Sequence, residues 1–234
     1  MSEDKFWQLV ATCGGVRRAT ERLAPYVSAA RKARIAAVLD ARVASIEVAI
    51  ERPADPHNAA AIVRTAEALG TGAVHAVTDE SGALHARKVT RGAFYWMDTQ
   101  HHGDFSQFEA QIRSKGMLLA GACVDEPMSV ELAQLPVTRP LCVLFGNEKL
   151  GLSAHARGRC DILFHVAMFG MCESLNLSVC AAITLRDLLQ RRRAEMGRLG
   201  DLDPSRRAHL QARWYAKALD ARLIRRVLTE DHSG

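Results

Sequence analysis

The sequence predicts an α/β protein: a mainly parallel sheet with helices on both faces, extended by basic helical segments at each end. Strand-like β-branched or apolar runs alternate with helical stretches through the middle of the chain. The composition, 48% hydrophobic and 24% charged over 234 residues, is that of a globular protein. That length can bury a core without disulfide support.

Each element follows from a local signal. Val16 to Leu23 and Ala29 to Leu39 carry apolar residues at helical spacing between arginines and a lysine. Ser45 to Ile50 is β-branched and reads as the first strand. Pro53-Ala54-Asp55-Pro56 then halts regular structure, Asn58 suits the N-cap of a helix from Ala59 to Leu69, and Gly70 suits its C′ position. Ala73 to Val77 is strand-like again. Phe105 to Lys115 reads as a helix, and Met117 to Val124, Pro140 to Phe145 and Ile162 to Val166 as strands. A long helix is expected from Ser174 to Arg193, ending in Arg191-Arg192-Arg193, where cations complement the helix dipole. Gly197 to Asp201 breaks the pattern before a last helix, Pro204 to Leu228, which holds Trp214 and Tyr215. The divisions expected are 1–44, 45–195 and 196–234, without internal repeats.

Composition narrows the function. No apolar run reaches membrane-spanning length, and Met1 to Thr12 lacks the layout of a signal peptide. The six cysteines (Cys13, Cys123, Cys142, Cys160, Cys172, Cys180) form no CxxC pair and lie at no zinc-ligand spacing. A cytoplasmic protein without a metal, its thiols mostly in the core, is expected. The net charge of +5 is uneven: residues 1–42 carry +4, 43–185 carry −4 and 186–234 carry +5. Two basic flanks around an acidic middle suit a polyanion such as nucleic acid, since neutralising phosphates releases counterions. Solvated arginine-rich helix faces are the plainer alternative.

Three segments look too specific for generic packing. Pro56-His57-Asn58-Ala59-Ala60-Ala61-Ile62-Val63-Arg64-Thr65-Ala66 sets one arginine in a small-residue surface that another backbone or a ligand can approach closely. Taken alone, Arg64 reads as a surface or salt-bridge residue. Leu144-Phe145-Gly146-Asn147-Glu148-Lys149-Leu150-Gly151-Leu152-Ser153 runs from a strand through a two-glycine turn to a helix N-cap, where α/β proteins bind ligands. It is neither a Walker A loop nor Gly-x-Gly-x-x-Gly, so nicotinamide chemistry is disfavoured. Ser174, Asn176 and Ser178 crowd three polar groups at a helix start, of which capping explains one. No Ser/His/Asp triad spacing or HExxH is present.

In this order and spacing, Asn58-x5-Arg64-Thr65-Ala66, Phe145-Gly146-Asn147-Glu148-x2-Gly151-Leu152-Ser153 and Ser174-Leu175-Asn176-Leu177-Ser178-Val179 resemble the three motifs of the SpoU/TrmH family. These are RNA 2′-O-ribose methyltransferases of the SPOUT superfamily, and the resemblance covers roughly residues 45–195. The basic terminal helices make the chain most similar to the members that methylate a guanosine ribose in the tRNA D-loop.

The resemblance implies a C-terminal deep trefoil knot, an exception to the rule against knotted chains. It also implies a homodimer and an S-adenosylmethionine pocket built from Ala122, Gly146, Val166, Phe169 and Leu175, largely through backbone groups. Arg64 would have the central catalytic role, with Asn58, Glu148, Ser174 and Asn176 positioning it, the ribose or the donor. An arginine stays protonated in proteins, so an electrostatic clamp on the developing alkoxide and neighbouring phosphate is chemically as good a role as that of base. His57 and Glu148 are alternative bases. His57, Arg17, Arg18, Arg31, Lys32, Arg34, Arg192 and Arg193 are the expected RNA contacts, and Trp214 or Tyr215 would either stack on a base or pack the last helix. Alternatives are a methyltransferase for another tRNA position or ribosomal RNA, a catalytically silent RNA-binding protein of the same fold, and a metabolic α/β enzyme. Fewer than 45 residues precede the first strand, too few for the separate RNA-binding domain of many ribosomal members, which favours tRNA.

Overall fold

Residues 1–79, 84 and 92–229 are described by a computed structural model. Its strands are β1 (Ile46–Glu51), β2 (Val74–Val77), β3 (Thr99–His102), β4 (Leu118–Ala122), β5 (Val130–Glu131), β6 (Leu141–Phe145) and β7 (Ile162–His165). The helices are α1 (Glu3–Thr12), α2 (Val16–Leu23), α3 (Ala29–Asp40), α4 (Pro56–Leu69), α5 (Ala93–Trp96), α6 (Phe105–Ser114), α7 (Ala154–Arg159), α8 (Leu177–Met196), α9 (Pro204–Lys217) and α10 (Ala221–Thr229). The chain divides into two units: residues 43–199, and a helical unit made of 1–42 together with 200–234. The two terminal segments, read separately in the sequence, thus form one body.

In the larger unit the strands among the described residues form one sheet in the order β3-β2-β1-β6-β4-β7-β5, and every pairing is parallel. Strand β1 is buried at all six positions, as expected where helices cover both faces of a parallel sheet. Val48 and Ile50 face a core shared with Ile62, Val63 and Ala66 of α4 and Leu185 and Leu188 of α8. Ala49, with Cys142 and Leu144 of β6, packs against Phe108 and Ile112 of α6 and Ala156 of α7. The alternation that predicted the fold class therefore predicted both layers. Strands β3 and β5 were not legible, because Thr99–His102 is polar and β5 has two residues.

Three boundaries differ from expectation. Helix α4 begins at Pro56, and Asp55, not Asn58, caps it by accepting from the His57 N–H at 2.8 Å. Proline suits the first helical position because it has no N–H to leave unpaired. Helix α8 begins at Leu177, with Asn176 as its cap. The expected last helix is two: α9 is capped by Asp203, and residues 218–220 separate it from α10. In the helical unit Trp214 is 2% exposed, with the Arg42 guanidinium 5.3 Å from its ring centroid, and Tyr215 is also buried. Packing, not base stacking, accounts for both aromatics.

A buried polar network crosses three strands. Glu47 Oε2 lies 3.0 Å from His75 Nε2, His75 Nδ1 lies 3.0 Å from His102 Nε2, and Lys115 Nζ donates to Glu47 Oε2 at 2.7 Å. Burial raises the Glu47 pKa, but the His75 and Lys115 contacts outweigh it and bring it to about 2. Burial, and then the adjacent His75, lower His102 to about 4. The folded protein therefore binds fewer protons at His102 than the unfolded chain between pH 6.5 and 4. Stability is expected to fall by up to about 3 kcal/mol as the pH drops through that window, and to fall further below pH 4.5 as Glu47 loses its advantage. Urea unfolding at stepped pH checks this, and a profile flat from about pH 7 to 4 contradicts it.

Burial likewise raises the Cys142 thiol pKa well above its ordinary range and that of Cys160 to about 12. Both are core groups rather than reactive thiols. Cys172 is exposed.

Candidate functional site

Because the strands run parallel, their carboxyl ends share one edge of the sheet. Register places Ile50, Phe145, Gly121-Ala122 and Phe164 side by side across β1, β6, β4 and β7. The segments singled out in the sequence leave the sheet at or beside this edge.

The turn after β6 explains its own glycines. A Cβ at Gly146 would stand 2.1 Å from the Gly151 carbonyl carbon, and Gly151 has φ +65°. Asn147 and Gly151 exchange two backbone hydrogen bonds at 2.9 and 3.0 Å. Asn147 Oδ1 accepts from the N–H groups of Lys149 and Leu150, and its Nδ2 donates to the Arg52 carbonyl at 2.8 Å. One asparagine thus folds the turn and ties it to the end of β1. Ser153 caps α7 and donates its N–H and hydroxyl to Glu51, at 2.8 and 2.7 Å.

Glu148 extends this tie. Its carboxylate accepts from the Ala54 N–H at 2.8 Å, the Asp55 N–H at 3.2 Å and Asn58 Nδ2 at 3.2 Å. Burial pushes its pKa up, but the Ala54 N–H and the other donors outweigh that and hold it below the ordinary carboxylate range. With three donors on it, this carboxylate is an anionic anchor rather than a ready base. Asn58 Oδ1 in turn accepts from Asn176 Nδ2 at 3.1 Å. Asn176 Oδ1 accepts from the N–H groups of Ser178 and Val179 and from the Ser178 hydroxyl. A chain of side-chain hydrogen bonds, Glu148–Asn58–Asn176, thereby joins all three motifs. Two of the three polar residues at the start of α8 serve its cap, whereas Ser174 is exposed and makes no hydrogen bond among the described residues.

Arg64 lies elsewhere on α4. His57, Arg64 and Ala68 are its exposed stripe, about 20° and 40° apart around the helix, while Asn58 lies at the edge with Ala61 and Thr65. Among the described residues Arg64 makes no hydrogen bond or ion pair. Among the described residues, the structure thus brings Asn58, Glu148 and Asn176 together and gives Arg64 and Ser174 no hydrogen bond to them. The alanines of α4 are mostly buried: Ala59, Ala60 and Ala66 pack inward. On α8, Val179 and Ile183 lie four residues apart at 47% and 41% exposure, an apolar pair facing outward, and Leu175, just before the helix, is 36% exposed.

Of the residues implied for a methyl donor, Ala122 ends β4, Gly146 follows β6 and Val166 follows β7, on adjacent strands. Phe169 is 99% exposed, in the irregular segment 166–176. Among the described residues, the backbone of 166–175 makes no hydrogen bond to other backbone. A run of N–H and C=O groups without backbone partners and neighbouring apolar side chains fit S-adenosylmethionine, whose adenine needs backbone-type partners and an apolar slot.

The arginines expected to meet RNA fare differently. Arg17, Arg18, Arg31 and Arg34 are exposed, whereas Lys32 Nζ donates to the Ala24 carbonyl at 3.3 Å. Arg192 donates to Ser45 Oγ and the Val137 carbonyl, and Arg193 to the carbonyls of Leu199 and Leu69. The end of α8 thus commits much of its donor capacity inside the chain. Sequence reasoning missed Asn147, Glu51 and the backbone of Ala54 and Asp55. Asn147 sat in view within the second segment, but its Arg52 partner lies 95 residues away in the chain.

The SpoU rRNA Methylase family model matches residues 45–186. A tRNA (guanosine(18)-2'-O)-methyltransferase of Escherichia coli is 33% identical over 167 residues, covering 71% of this chain and 72% of that protein. The protein of the same name from Thermus thermophilus is 33% identical over 191 residues, covering 80% of this chain and 97% of its own length. The crystal structure of the A. aeolicus TrmH/SpoU tRNA modifying enzyme superposes with a TM-score of 0.73 at 26% identity, over 81% of this chain and 97% of that one. With the motifs joined by hydrogen bonds at one sheet edge and the family model covering more than half its length, this chain belongs to the SpoU methylase family.

Proposed function

We propose that this protein is an S-adenosylmethionine-dependent tRNA (guanosine-2′-O)-methyltransferase, acting on a D-loop ribose of the guanosine 18 type. The observation that carries the reading is the Glu148–Asn58–Asn176 chain, which fixes the start of the helix bearing an exposed, uncommitted arginine. Relatives of that name, matching more than two thirds of this chain, support the substrate class.

S-adenosylmethionine, when bound, supplies a methyl group on a positively charged sulfur. Ala122, Gly146, Val166, Phe169 and Leu175 would hold it. Arg64 stabilises the charge that develops on the 2′-oxygen as its proton leaves, and clamps the adjacent phosphate. Glu148, Asn58 and Asn176 position that helix, and Ser174 and His57 face the substrate. Orientation of two bound reactants supplies much of the acceleration. Arg17, Arg18, Arg31, Lys32 and Arg34 contact tRNA phosphates, with Arg192 and Arg193 contributing what their internal bonds leave free.

The protein works as a homodimer in the cytoplasm. The exposed apolar residues Leu175, Val179 and Ile183, at and just before the start of α8, which packs against α4, support a partner subunit completing the site. Segment 166–196 leaves β7 and packs α8 against α4, the helix that follows β1 on the far side of β4 and β6. That crossing supports the deep trefoil knot.

Incubation with labelled S-adenosylmethionine and unmodified tRNA, then nuclease digestion, is expected to yield 2′-O-methylguanosine from the D-loop. A base-methylated product overturns the reading. Because the family model carries an rRNA name, ribosomal RNA belongs in the same assay, and methylation of it alone selects that substrate instead.

A further inference from the structure

Arg52 is the one non-glycine residue with a left-handed backbone among the described residues, at φ +47°. Glycine and asparagine adopt that conformation far more readily than arginine. Both backbone groups of Arg52 are pinned: its N–H donates to the Val77 carbonyl at 2.9 Å, and its carbonyl accepts from Asn147 Nδ2 at 2.8 Å. The turn out of β1 therefore requires a left-handed residue, but nothing in it requires an arginine.

What arginine adds is its side chain, which is 52% exposed. The nearest carboxylate oxygen, Glu51 Oε1, is 3.9 Å from its guanidinium, and that carboxylate already accepts from the Ser153 N–H and hydroxyl. That carboxylate is buried, but at 3.9 Å the pair makes no hydrogen bond. Arg52 thus presents a poorly compensated cation where the second motif is fastened to β1, two residues before the Ala54 N–H that binds Glu148. Backbone strain retained beside a site points to a function that outweighs it, and a guanidinium fork matches a phosphate.

We infer that Arg52 is a substrate-positioning residue that grips an RNA phosphate near the target nucleotide. This rests on the tRNA reading above. The test compares wild type, Arg52→Asn and Arg52→Lys for kcat and KM on unmodified tRNA at several salt concentrations, with melting temperatures alongside. For Arg52→Asn the expectation is a KM about tenfold higher, kcat within about twofold, and a log–log salt dependence of KM shallower by roughly one. Its melting temperature should hold or rise, since asparagine relieves the backbone. Arg52→Lys should restore the salt slope and part of the KM. An Arg52→Asn variant with wild-type KM and salt slope overturns the inference while leaving the tRNA reading standing, and so does one whose raised KM comes with a lowered melting temperature. A wild type that methylates no tRNA overturns both.

Discussion

Arg64→Ala is expected to lower kcat on tRNA by at least about 100-fold, the scale seen when a preorganised group at a developing oxyanion is removed. The fold should not notice. Arg64 lies on the exposed stripe of α4, with no hydrogen bond or ion pair among the described residues, so its loss should shift stability by less than about 0.5 kcal/mol. A catalytic defect without a melting shift assigns the guanidinium to the reaction. Arg64→Lys keeps the charge but loses the planar fork and should recover only part of the rate. An alanine variant turning over within about tenfold of wild type would remove Arg64 from the mechanism.

Glu148→Ala should damage both rate and fold, for a different reason. Its carboxylate holds the N–H groups of Ala54 and Asp55 and the amide of Asn58. Deleting it leaves three donors to find water and frees the loop that aims α4. A loss of roughly 1 to 3 kcal/mol of stability follows from losing hydrogen bonds to a charged acceptor, one exposed and two part-buried. A rate loss of about 100-fold follows from misplacing a reacting group by an ångström or so. Glu148→Gln, which keeps one acceptor oxygen, should fall between alanine and wild type. Because the Glu148 carboxyl is held below its ordinary range, its stabilising contribution is present at neutral pH and disappears as the pH falls through the folded-state value. Kinetics and melting curves at neutral pH decide the matter, and a Glu148→Ala variant with an unaltered melting curve contradicts the anchoring role.

How much was legible from residues alone differs between fold and site. Strands β1, β2, β4, β6 and β7 announced themselves as largely apolar or β-branched runs, which a sheet covered on both faces favours. Strand β3 did not, since His102 is buried by pairing with His75 rather than by being apolar. The three motif segments could be located by their residue types, and Ser153 and Gly70 could be recognised as caps. Asn58 was misread as a cap because a capping signal is local, and Asp55 with Pro56 provided an equally good one three residues earlier.

The arginines at the end of α8 show the same limit. Their run reads as a phosphate patch or a dipole complement, yet Arg191 donates to the carbonyls of Leu132 and Leu135. Arg192 and Arg193 likewise satisfy carbonyls from distant segments. Nothing within the helix itself could reveal those partners.

Residue order alone determined the α/β class, the alternation of layers and the identity of the chemistry-bearing segments, since these depend on periodicity and on side-chain types at short spacing. Tertiary structure decided which of those side chains meet. It joined Glu148, Asn58 and Asn176 into one strut, held Arg52 in a left-handed turn and left Arg64 facing outward. Hydrogen bonds between residues 90 to 118 positions apart arise only once the parallel strands bring their carboxyl ends to a common edge.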